Sequence, residues 1–331
     1  MFPDKVFYEP AAMGYELAKS LKEKFPDVPW VEIDNHNNIE QLRSNSNKEF
    51  TMMKRYIIIG IRKTHKYVPN HKVSDFLVPY TSSGCSAMCL YCYLVCNYNK
   101  CSYLRLFVNR EQMMNKLLKT ANSSLNDLTF EIGSNSDLVL ENTITGNLEW
   151  TIENFGQSNK GFITFPTKFD MVEPFLALEH RGRTIMRMSV NPHFVIKRVE
   201  FGTSSLQSRI KALNQMCEAG YKVGLLIAPV VLVGDWMAQY SEFIEQLSSE
   251  ISNKAKQELF IEIIFMTYSY VHRAINSEAF PNAVELYDKT LMTGRGRGKY
   301  CYRHNIREQA EQFLREQISK KLGNIPIIYV V

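Results

Sequence analysis

Three cysteines in the first third of the chain carry its clearest chemistry. Cys85, Cys89 and Cys92 follow one another with C-x-x-x-C-x-x-C spacing on one short segment. Structural zinc sites usually take four protein ligands, and ferredoxin-type clusters also use four cysteines. Three convergent thiolates instead predict an iron-sulfur cluster that keeps one iron open for another ligand.

Two simpler interpretations compete with such a cluster. Cysteine often packs as a small core residue, and a distant ligand could complete a zinc knuckle. The sequence contains no second Cys or His pair with zinc spacing. Tyr91 immediately precedes the third cysteine, and the whole segment resembles the radical S-adenosylmethionine superfamily. That resemblance implies a 4Fe-4S cluster whose open iron binds S-adenosylmethionine.

Polar residues at predicted strand ends are candidates for the other contacts of a cofactor. Ser134, Asn135 and Ser136 follow one apolar strand pattern, Lys168 follows the next, and Ser189 ends a third. Hydroxyl and amide side chains here could bind the amino-acid end of a cofactor, or could bond their own backbone in a turn. A lone lysine is more often a solvated surface charge. Both interpretations stay open from the residues alone.

A segment near the C-terminus alternates glycine with basic residues and then tyrosine. Its basic and aromatic side chains are Arg295, Arg297, Lys299, Tyr300, Tyr302 and Arg303. Glycine lets the backbone approach a polyanion, guanidinium groups contact phosphates, and aromatic rings stack on bases or wedge between them. A solvated hairpin tip can have a similar composition, but the adjoining tyrosines favour nucleic acid. We therefore predict a DNA-binding β-hairpin.

Composition and charge are those of a globular protein. The 331 residues are 45% hydrophobic, and a formal net charge of +5 is too small to define a partner. The longest apolar run, 223–233, is interrupted by Gly224 and Pro229 and is shorter than the about 20 residues that span a bilayer. Seven cysteines and a start without a signal-peptide pattern favour a reducing compartment. We expect a cytoplasmic protein with no membrane partner.

Alternating strand and helix patterns predict an α/β fold. Residues 1–70 resemble a small N-terminal α/β segment, and residues 71–331 form the main body. Six strand patterns occur in that body, at 76–80, 128–132, 161–165, 184–190, 222–233 and 259–266. Helices are expected between them, including one at 172–178. The pattern predicts an incomplete (β/α)6 TIM-like barrel with its site at the carboxyl ends of the strands, followed by the C-terminal β-hairpin.

Motifs along nearly the whole chain resemble the spore photoproduct lyase family. Besides the cysteine loop they are Phe130-Glu131, Thr167-Lys168, Ser189 with Asn191, Ala228-Pro229 and Gly298-Lys-Tyr-x-Tyr-Arg303, in matching order. The resemblance implies a DNA repair lyase that reverses the spore photoproduct, 5-thyminyl-5,6-dihydrothymine, to two thymines. A 5′-deoxyadenosyl radical from S-adenosylmethionine would start the reaction. Because the lesion lies in double-stranded DNA, it must leave the base stack to reach the barrel.

The resemblance also implies roles for individual residues and for partners. The three loop cysteines would bind the cluster, and Ser136, Lys168 and Ser189 would contact S-adenosylmethionine. Tyr91 and Tyr93 match the family's tyrosines near the radical relay. The electron donor would be a protein such as flavodoxin or ferredoxin, and the place of action would be the spore core of a spore-forming bacterium.

One position departs from the better-known members of that family. After Phe130-Glu131 those members have a cysteine that returns hydrogen to the thymine radical, whereas this chain has Ser134. An O–H bond is much stronger than an S–H bond, so serine cannot donate a hydrogen atom comparably. Cys96 and Cys101, a few residues beyond the cluster loop, are the candidates for the missing thiol, with Cys96 ranked first.

Two other functions fit part of the pattern. The cysteine missing at position 134 is also compatible with a radical enzyme that modifies another nucleic acid or a peptide. The thiol loop and the basic hairpin are compatible with a non-catalytic iron-sulfur or zinc module that binds nucleic acid. Formation of 5′-deoxyadenosine would separate either enzyme from the binding module.

Overall fold

Two compact units make up the part of the chain that the computed structural model describes, which is residues 2–96 and 103–331, with the backbone alone at position 96. The first unit comprises residues up to 88, 93–165 and 173–184. The second unit comprises residues 89–92, 166–172 and 185–331. Compact units and independently folding domains need not coincide, so the domain boundary predicted at residue 70 stays a prediction.

The first unit is built around parallel strands. The strands that begin before residue 184 are β1 (Lys5–Tyr8), β2 (Trp30–Glu32), β3 (Tyr56–Gly60), β4 (Val68–Pro69), β5 (Phe76–Leu77), β6 (Ser82–Ser83), β7 (Met88–Cys89), β8 (Leu104–Phe107), β9 (Thr129–Glu131) and β10 (Phe162–Thr167). One sheet has the order β2-β1-β3-β8-β6 and is parallel except at β6. A second run has the order β10-β9-β5-β4 and is parallel except at β4.

Helices cover an apolar face of the first sheet. The helices in this part of the chain are α1 (Glu16–Lys24), α2 (Glu40–Arg43), α3 (Phe50–Met53), α4 (Arg110–Ser123), α5 (Leu138–Thr145) and α6 (Asn147–Gly156). Val6, Ile57 and Leu104 are in register on neighbouring strands and share a buried core with Leu17 and Leu21 of α1. Alternate positions of a strand face the same side, so this face closes a hydrophobic core. The predicted N-terminal α/β segment is therefore present.

The prediction of a helix at 172–178 was wrong. Only a short 3-10 turn, Glu173–Phe175, forms there. The Leu176 and Leu178 amides donate to the Glu173 and Phe175 carbonyls, three residues back, so tight turns replace the bonds between residues four apart that a helix needs. The apolar spacing that predicted the helix is instead used to bury Val172 and Phe175.

The second unit is also α/β. Its strands are β11 (Thr184–Val190), β12 (Glu200–Phe201), β13 (Lys222–Val230), β14 (Phe260–Phe265), β15 (Thr267–Ser269), β16 (Met292–Gly296), β17 (Lys299–Tyr302) and β18 (Ile327–Val330). Its helices are α7 (His193–Arg198), α8 (Leu206–Glu218), α9 (Trp236–Glu250), α10 (Asn253–Glu258), α11 (Tyr270–Ala279) and α12 (His304–Leu322). Four strands are parallel in the order β18-β14-β13-β11, and three are antiparallel in the order β15-β17-β16.

All six strands predicted for the main body are present, with ends shifted by a few residues. β13 is almost entirely buried, as expected of a parallel strand that is covered on both faces. β18, which pairs with β14 and extends the sheet, was not predicted from the sequence. In the described part of the chain, no helix has the length and apolarity that crossing a membrane requires.

The predicted C-terminal β-hairpin is formed by β16 and β17. Its tip is Gly296-Arg297-Gly298, and all three residues have positive φ, at 86°, 52° and 68°. Glycine adopts this left-handed conformation easily because it lacks a Cβ. In Arg297 the same conformation costs about 1–2 kcal/mol. A Cβ at Gly298 would also lie 2.2 Å from the Tyr270 ring, so only glycine fits there.

Candidate active site

The cysteine loop has a hydrogen-bonded backbone around half-buried thiols. Cys85, Cys89 and Cys92 are all of intermediate exposure, and none forms a disulfide with another described residue. The Cys85 Sγ accepts a hydrogen bond from the Ala87 amide at 3.4 Å. Lys54 Nζ donates to the Cys85 carbonyl at 2.8 Å. An N–H aimed at a sulfur is a contact that orients a thiolate ligand.

The donor set suits a cluster, although the described residues do not form a closed metal site. Within residues 2–96 and 103–331, no group of three or more His, Cys, Asp or Glu side chains is arranged to hold a metal ion. Metal-binding loops commonly gather their ligands as the metal binds. Three thiols without histidine or carboxylate among them suit iron-sulfur chemistry better than a hard cation. The assignment of the three cysteines as ligands stays a prediction.

A buried ionic cluster lies in the second unit. Its members, which we call the Glu200 cluster, are Tyr91, Lys168, Glu200 and Arg209. Arg209 Nη2 donates to Glu200 Oε2 at 2.7 Å, and the side chains of both are fully buried. Lys168 Nζ lies 3.3 Å from Glu200 Oε1, and the Tyr91 hydroxyl donates to the same oxygen. The carboxylate of Glu200 is therefore contacted by the other three members of the cluster.

The cluster sets the ionisation of its members. Burial by itself would raise the pKa of Glu200, but Lys168 and Arg209, with hydrogen bonds from Tyr91 and Asn191, hold this pKa at about 2. Burial, followed by the negative charge of Glu200, raises the pKa of the Tyr91 phenol well above its usual value. At neutral pH Glu200 is therefore ionised and Tyr91 carries its proton.

Two predicted cofactor contacts, Lys168 and Ser189, meet at this cluster. Lys168 Nζ donates to Ser189 Oγ at 2.5 Å and to the Ala228 carbonyl at 2.8 Å. Lys168 follows β10, Ser189 lies near the end of β11, and Ala228 near the end of β13. An ammonium has three N–H donors, and the two contacts above and Glu200 supply three acceptors. A ligand carboxylate would have to replace one of them, and the contact to Glu200 is the longest.

The predicted Ser/Asn contacts lie in the first unit. The Gly84 amide donates to the Asn135 carbonyl at 2.8 Å, and Gly84 also forms a parallel bridge with Ser136. Tyr93, 55% exposed, donates its hydroxyl to the Ser134 carbonyl. The buried Ser136 Oγ has no hydrogen-bond partner among the described residues. Because a buried hydroxyl without a partner is costly, Ser136 is suited to bind a ligand.

The hairpin presents part of its predicted DNA-binding set to solvent. Arg295, Arg297 and Lys299 are exposed, and within the described chain none of them forms an ion pair. Tyr300 is half-buried, with its ring centroid 4.6 Å from that of Tyr287. These four side chains remain the strongest candidates for contact with DNA.

Tyr302 and Arg303 have supporting contacts instead. Tyr302 is buried, and its hydroxyl accepts a hydrogen bond from the Leu232 amide at 2.9 Å. Arg303 donates to the carbonyls of Lys289 and Thr290 at 3.0 and 3.1 Å. Both residues therefore hold the base of the hairpin in place in this structure, and their predicted contact with DNA stays a prediction.

Sequence reasoning missed Glu200 and Arg209. Each is a charged residue within an apolar sequence pattern. A charge in such a pattern indicates a buried ion pair. Glu200 lies between Val199 and Phe201, and Arg209 occupies the same buried face of α8 as Leu206. The candidate thiols lie beyond what the structure describes, since Cys101 and the side chain of Cys96 fall outside the described residues.

Comparisons with known proteins point to one family over the full length of the chain. A family model described as spore photoproduct lyase matches residues 1–331. The spore photoproduct lyase of Bacillus subtilis (strain 168) is 30% identical over 324 residues, which cover 94% of each chain. That of Geobacillus sp. (strain Y412MC61) is 28% identical over 335 residues, which cover 99% of this chain and 98% of the relative.

Solved structures show the same fold. A spore photoproduct lyase variant with bound AdoMet and dinucleoside spore photoproduct is 27% identical, with a TM-score of 0.92 over 100% of this chain and 99% of that chain. A spore photoproduct lyase in complex with dinucleoside spore photoproduct has a TM-score of 0.91 at 27% identity, over 99% of both chains. The predicted fold class, a mixed α/β fold of the incomplete TIM-like radical S-adenosylmethionine type, is confirmed. The chain belongs to the spore photoproduct lyase family.

Proposed function

We propose that this chain is a DNA repair lyase that cleaves the carbon-carbon bond of the spore photoproduct and restores two thymines. The observation that carries the proposal is the full-length match to a structure that binds both AdoMet and the dinucleoside lesion. The cysteine loop, with its half-buried thiols, supports it independently.

The proposed cofactors are a 4Fe-4S cluster and S-adenosylmethionine. When bound, they would supply a 5′-deoxyadenosyl radical able to abstract hydrogen from carbon. The chain would contribute Cys85, Cys89 and Cys92 as ligands. Replacing any one of the three with alanine should prevent a full iron load after anaerobic reconstitution. Full iron content and cofactor cleavage in such variants would contradict the assignment.

Contacts to the amino-acid end of S-adenosylmethionine are proposed for two places. In the second unit, Lys168 and Ser189 offer an ammonium and a hydroxyl at adjacent strand ends. Glu200, which is itself paired with Arg209, holds this ammonium in place. In the first unit, Ser136 offers an unsatisfied hydroxyl, and Ser134 and Asn135 lie beside it. Polar groups with fixed positions bind a ligand with little loss of conformational entropy.

Contact with DNA is proposed for the hairpin. Exposed guanidinium and ammonium groups on a glycine-rich tip suit the phosphates of a duplex, while Tyr300 can stack on a base. The lesion must leave the stack to reach a buried site, and a basic hairpin is suited to hold the opened duplex. We also propose a flavodoxin or ferredoxin as electron donor and the spore core as the place of action.

Hydrogen return to the thymine radical needs a donor other than Ser134. We propose Cys96 first and Cys101 second, because both follow the cluster loop closely in the sequence. Cys96→Ala should leave 5′-deoxyadenosine formation intact while thymine products are diverted to adducts. Clean repair at the wild-type rate in this variant would assign the donor elsewhere, and Cys101→Ala would be examined next.

The deciding experiment is an anaerobic assay with dithionite, S-adenosylmethionine and duplex DNA that contains the lesion. Repair to thymine, accompanied by 5′-deoxyadenosine when turnover is interrupted, is the expected result. Serine at position 134 favours one alternative, a radical enzyme with another nucleic acid or a peptide as substrate. That enzyme would form 5′-deoxyadenosine without repairing the lesion. A non-catalytic module would form neither product.

A further inference from the structure

The backbone between two of the proposed cluster ligands is held by a helix far along the chain. His272 Nε2 lies 3.0 Å from the Cys92 carbonyl, and Asn276 Nδ2 donates to the Leu90 carbonyl at 2.8 Å. A carbonyl can only accept, so His272 Nε2 carries the hydrogen. His272 and Asn276 are four residues apart on α11, so both side chains project from one face of the helix.

The two carbonyl contacts complete the backbone hydrogen bonding of Leu90 and Cys92. The Leu90 amide donates to the Val199 carbonyl at 2.9 Å, and the Cys92 amide donates to the Cys89 carbonyl at 3.0 Å. Both backbone groups of Leu90 and both of Cys92 therefore have partners within the second unit. These hydrogen bonds fix the backbone that carries Cys89 and Cys92 and leave their side chains to gather around a metal.

The strand before α11 fixes the two side chains that make these contacts. Ser269 Oγ lies 2.9 Å from His272 Nδ1, and in the neutral imidazole with its hydrogen on Nε2 the Nδ1 atom accepts from the Ser269 hydroxyl. The Tyr268 ring stacks on the His272 ring with centroids 5.2 Å apart, and Asn276 also donates to the Tyr268 hydroxyl at 3.1 Å. His272 itself is buried. Neither side chain can turn away without losing a second partner.

The same strand and helix are bonded to the hairpin. β15 pairs with β17, placing Tyr268 opposite Tyr300 and Ser269 opposite Lys299. The Tyr270 amide donates to the Gly298 carbonyl at 3.1 Å, and the Tyr270 ring packs on Gly298. The continuous segment formed by β15 and α11 thus contacts the Cys89–Cys92 segment on one side and the basic hairpin on the other.

We propose that β15 and α11, residues 267–279, form a clamp that positions the Cys89–Cys92 segment for cluster binding and holds it in register with the hairpin. His272 and Asn276 are its positioning residues. The inference rests on the proposed function, because it assumes that the loop binds the cluster. Groups that orient metal ligands from behind change metal affinity by roughly 10–100-fold when they are removed.

The test compares iron release from anaerobically reconstituted protein after addition of an iron chelator. The variants are His272→Ala, Asn276→Ala and the double variant, and Ser277→Ala, an exposed residue of the same helix, is the matched control. We expect the double variant to lose iron roughly tenfold faster or more, with an altered electron paramagnetic resonance spectrum of the reduced protein. Ser277→Ala should match the wild type.

Two conservative variants keep the test decisive if the alanine variants fold poorly. His272→Gln retains an N–H near the Cys92 carbonyl and should restore wild-type retention to within about twofold, since it preserves the hydrogen bond. Asn276→Asp is nearly isosteric but places an oxygen against the Leu90 carbonyl, and should release iron as fast as Asn276→Ala. Thermal melting of the iron-free proteins measures the structural contribution separately.

Three outcomes would overturn the inference. Wild-type iron release and spectra in both the double variant and Asn276→Asp would show that the clamp does not position the ligands. Iron loss that scales only with the melting temperature of the iron-free protein would reduce His272 and Asn276 to a structural role. If the wild-type protein and the folded Ser277→Ala control both take up no cluster, the proposed function is wrong. The clamp proposal then fails with it.

Discussion

The second unit carries two groups of cationic side chains in opposite surroundings. In the Glu200 cluster, Lys168 and Arg209 enclose one buried carboxylate. On the hairpin, Arg295, Arg297 and Lys299 are exposed. A charge in the interior is tolerated only when it is paired and hydrogen-bonded, whereas an exposed charge keeps its water. The buried charges therefore fix the positions of the groups that they contact. The exposed charges attract a polyanion over a distance.

The two groups also differ in how they can respond to a ligand. Lys168 is held by three oxygen atoms, so a bound carboxylate must exchange one good contact for another. Arg297 projects from a tip with three successive left-handed residues, and the described residues provide no ion pair that fixes it. The first arrangement favours a ligand of one defined geometry. The second adapts to phosphates along a backbone, which suits contact without sequence preference.

The largest expected effect comes from removing the buried carboxylate. Glu200→Ala should lower the free energy of unfolding by about 3–5 kcal/mol, because it leaves the buried Arg209 and the partly buried Lys168 without their counter-charge. Urea denaturation of the iron-free protein measures this. In the control, Glu16→Ala removes an exposed partner of Lys19 and should change stability by no more than about 0.5 kcal/mol. Equal unfolding midpoints for the two variants would contradict the view that buried pairing is essential.

Lowering the pH should show the same dependence of stability on the buried, ionised Glu200. The pKa of Glu200 in the folded chain, about 2, is below its ordinary value of 4.5. Stability from this ionised carboxylate is therefore complete above pH 4.5 and is lost as the pH falls toward 2. Glu200→Gln has no such proton to take up, so its stability should fall less than that of the wild type across this window. Parallel curves for the two proteins in urea titrations at several pH values would refute the pairing.

Removing the exposed charges should affect DNA binding without affecting the fold. In the triple variant Arg295→Ala, Arg297→Ala and Lys299→Ala, we expect about tenfold to a hundredfold weaker binding of damaged and undamaged duplex alike. The log-log salt slope should fall by roughly three, since each neutralised phosphate contributes about 0.9. The matched control replaces three exposed lysines elsewhere, Lys19, Lys211 and Lys320. If the salt slope from fluorescence anisotropy titrations is unchanged, the three side chains are solvated charges that do not contact DNA.

The smallest expected effect compares two tyrosines of the cysteine loop region. Tyr91→Phe removes a buried hydroxyl that donates to Glu200 and should cost about 1–2 kcal/mol of stability. Tyr93→Phe removes an exposed hydroxyl that donates to a carbonyl and should cost less than about 0.5 kcal/mol. Thermal melting of the iron-free proteins measures both. A larger loss in Tyr93→Phe would reverse the assignment of buried and exposed roles.

Local features of this chain could be predicted from the sequence because their causes are local. The spacing of the three cysteines, the apolar strands and the Gly296-Arg297-Gly298 tip depend on neighbouring residues, and the strands and hairpin formed where they were expected. The helix expected at 172–178 did not form, because the apolar side chains there are buried from a short 3-10 turn and tight turn bonds instead.

Contacts between distant residues were decided by the tertiary structure alone. His272 meets the Cys92 carbonyl across 180 residues, and Tyr91 meets Glu200 across 109. Histidine, tyrosine and glutamate can each be buried, exposed or ligating, and their own neighbours in sequence do not distinguish these states. Burial in the folded chain removes water from such groups and requires a partner for each one. Only the packing of strands and helices determines which partner lies within reach.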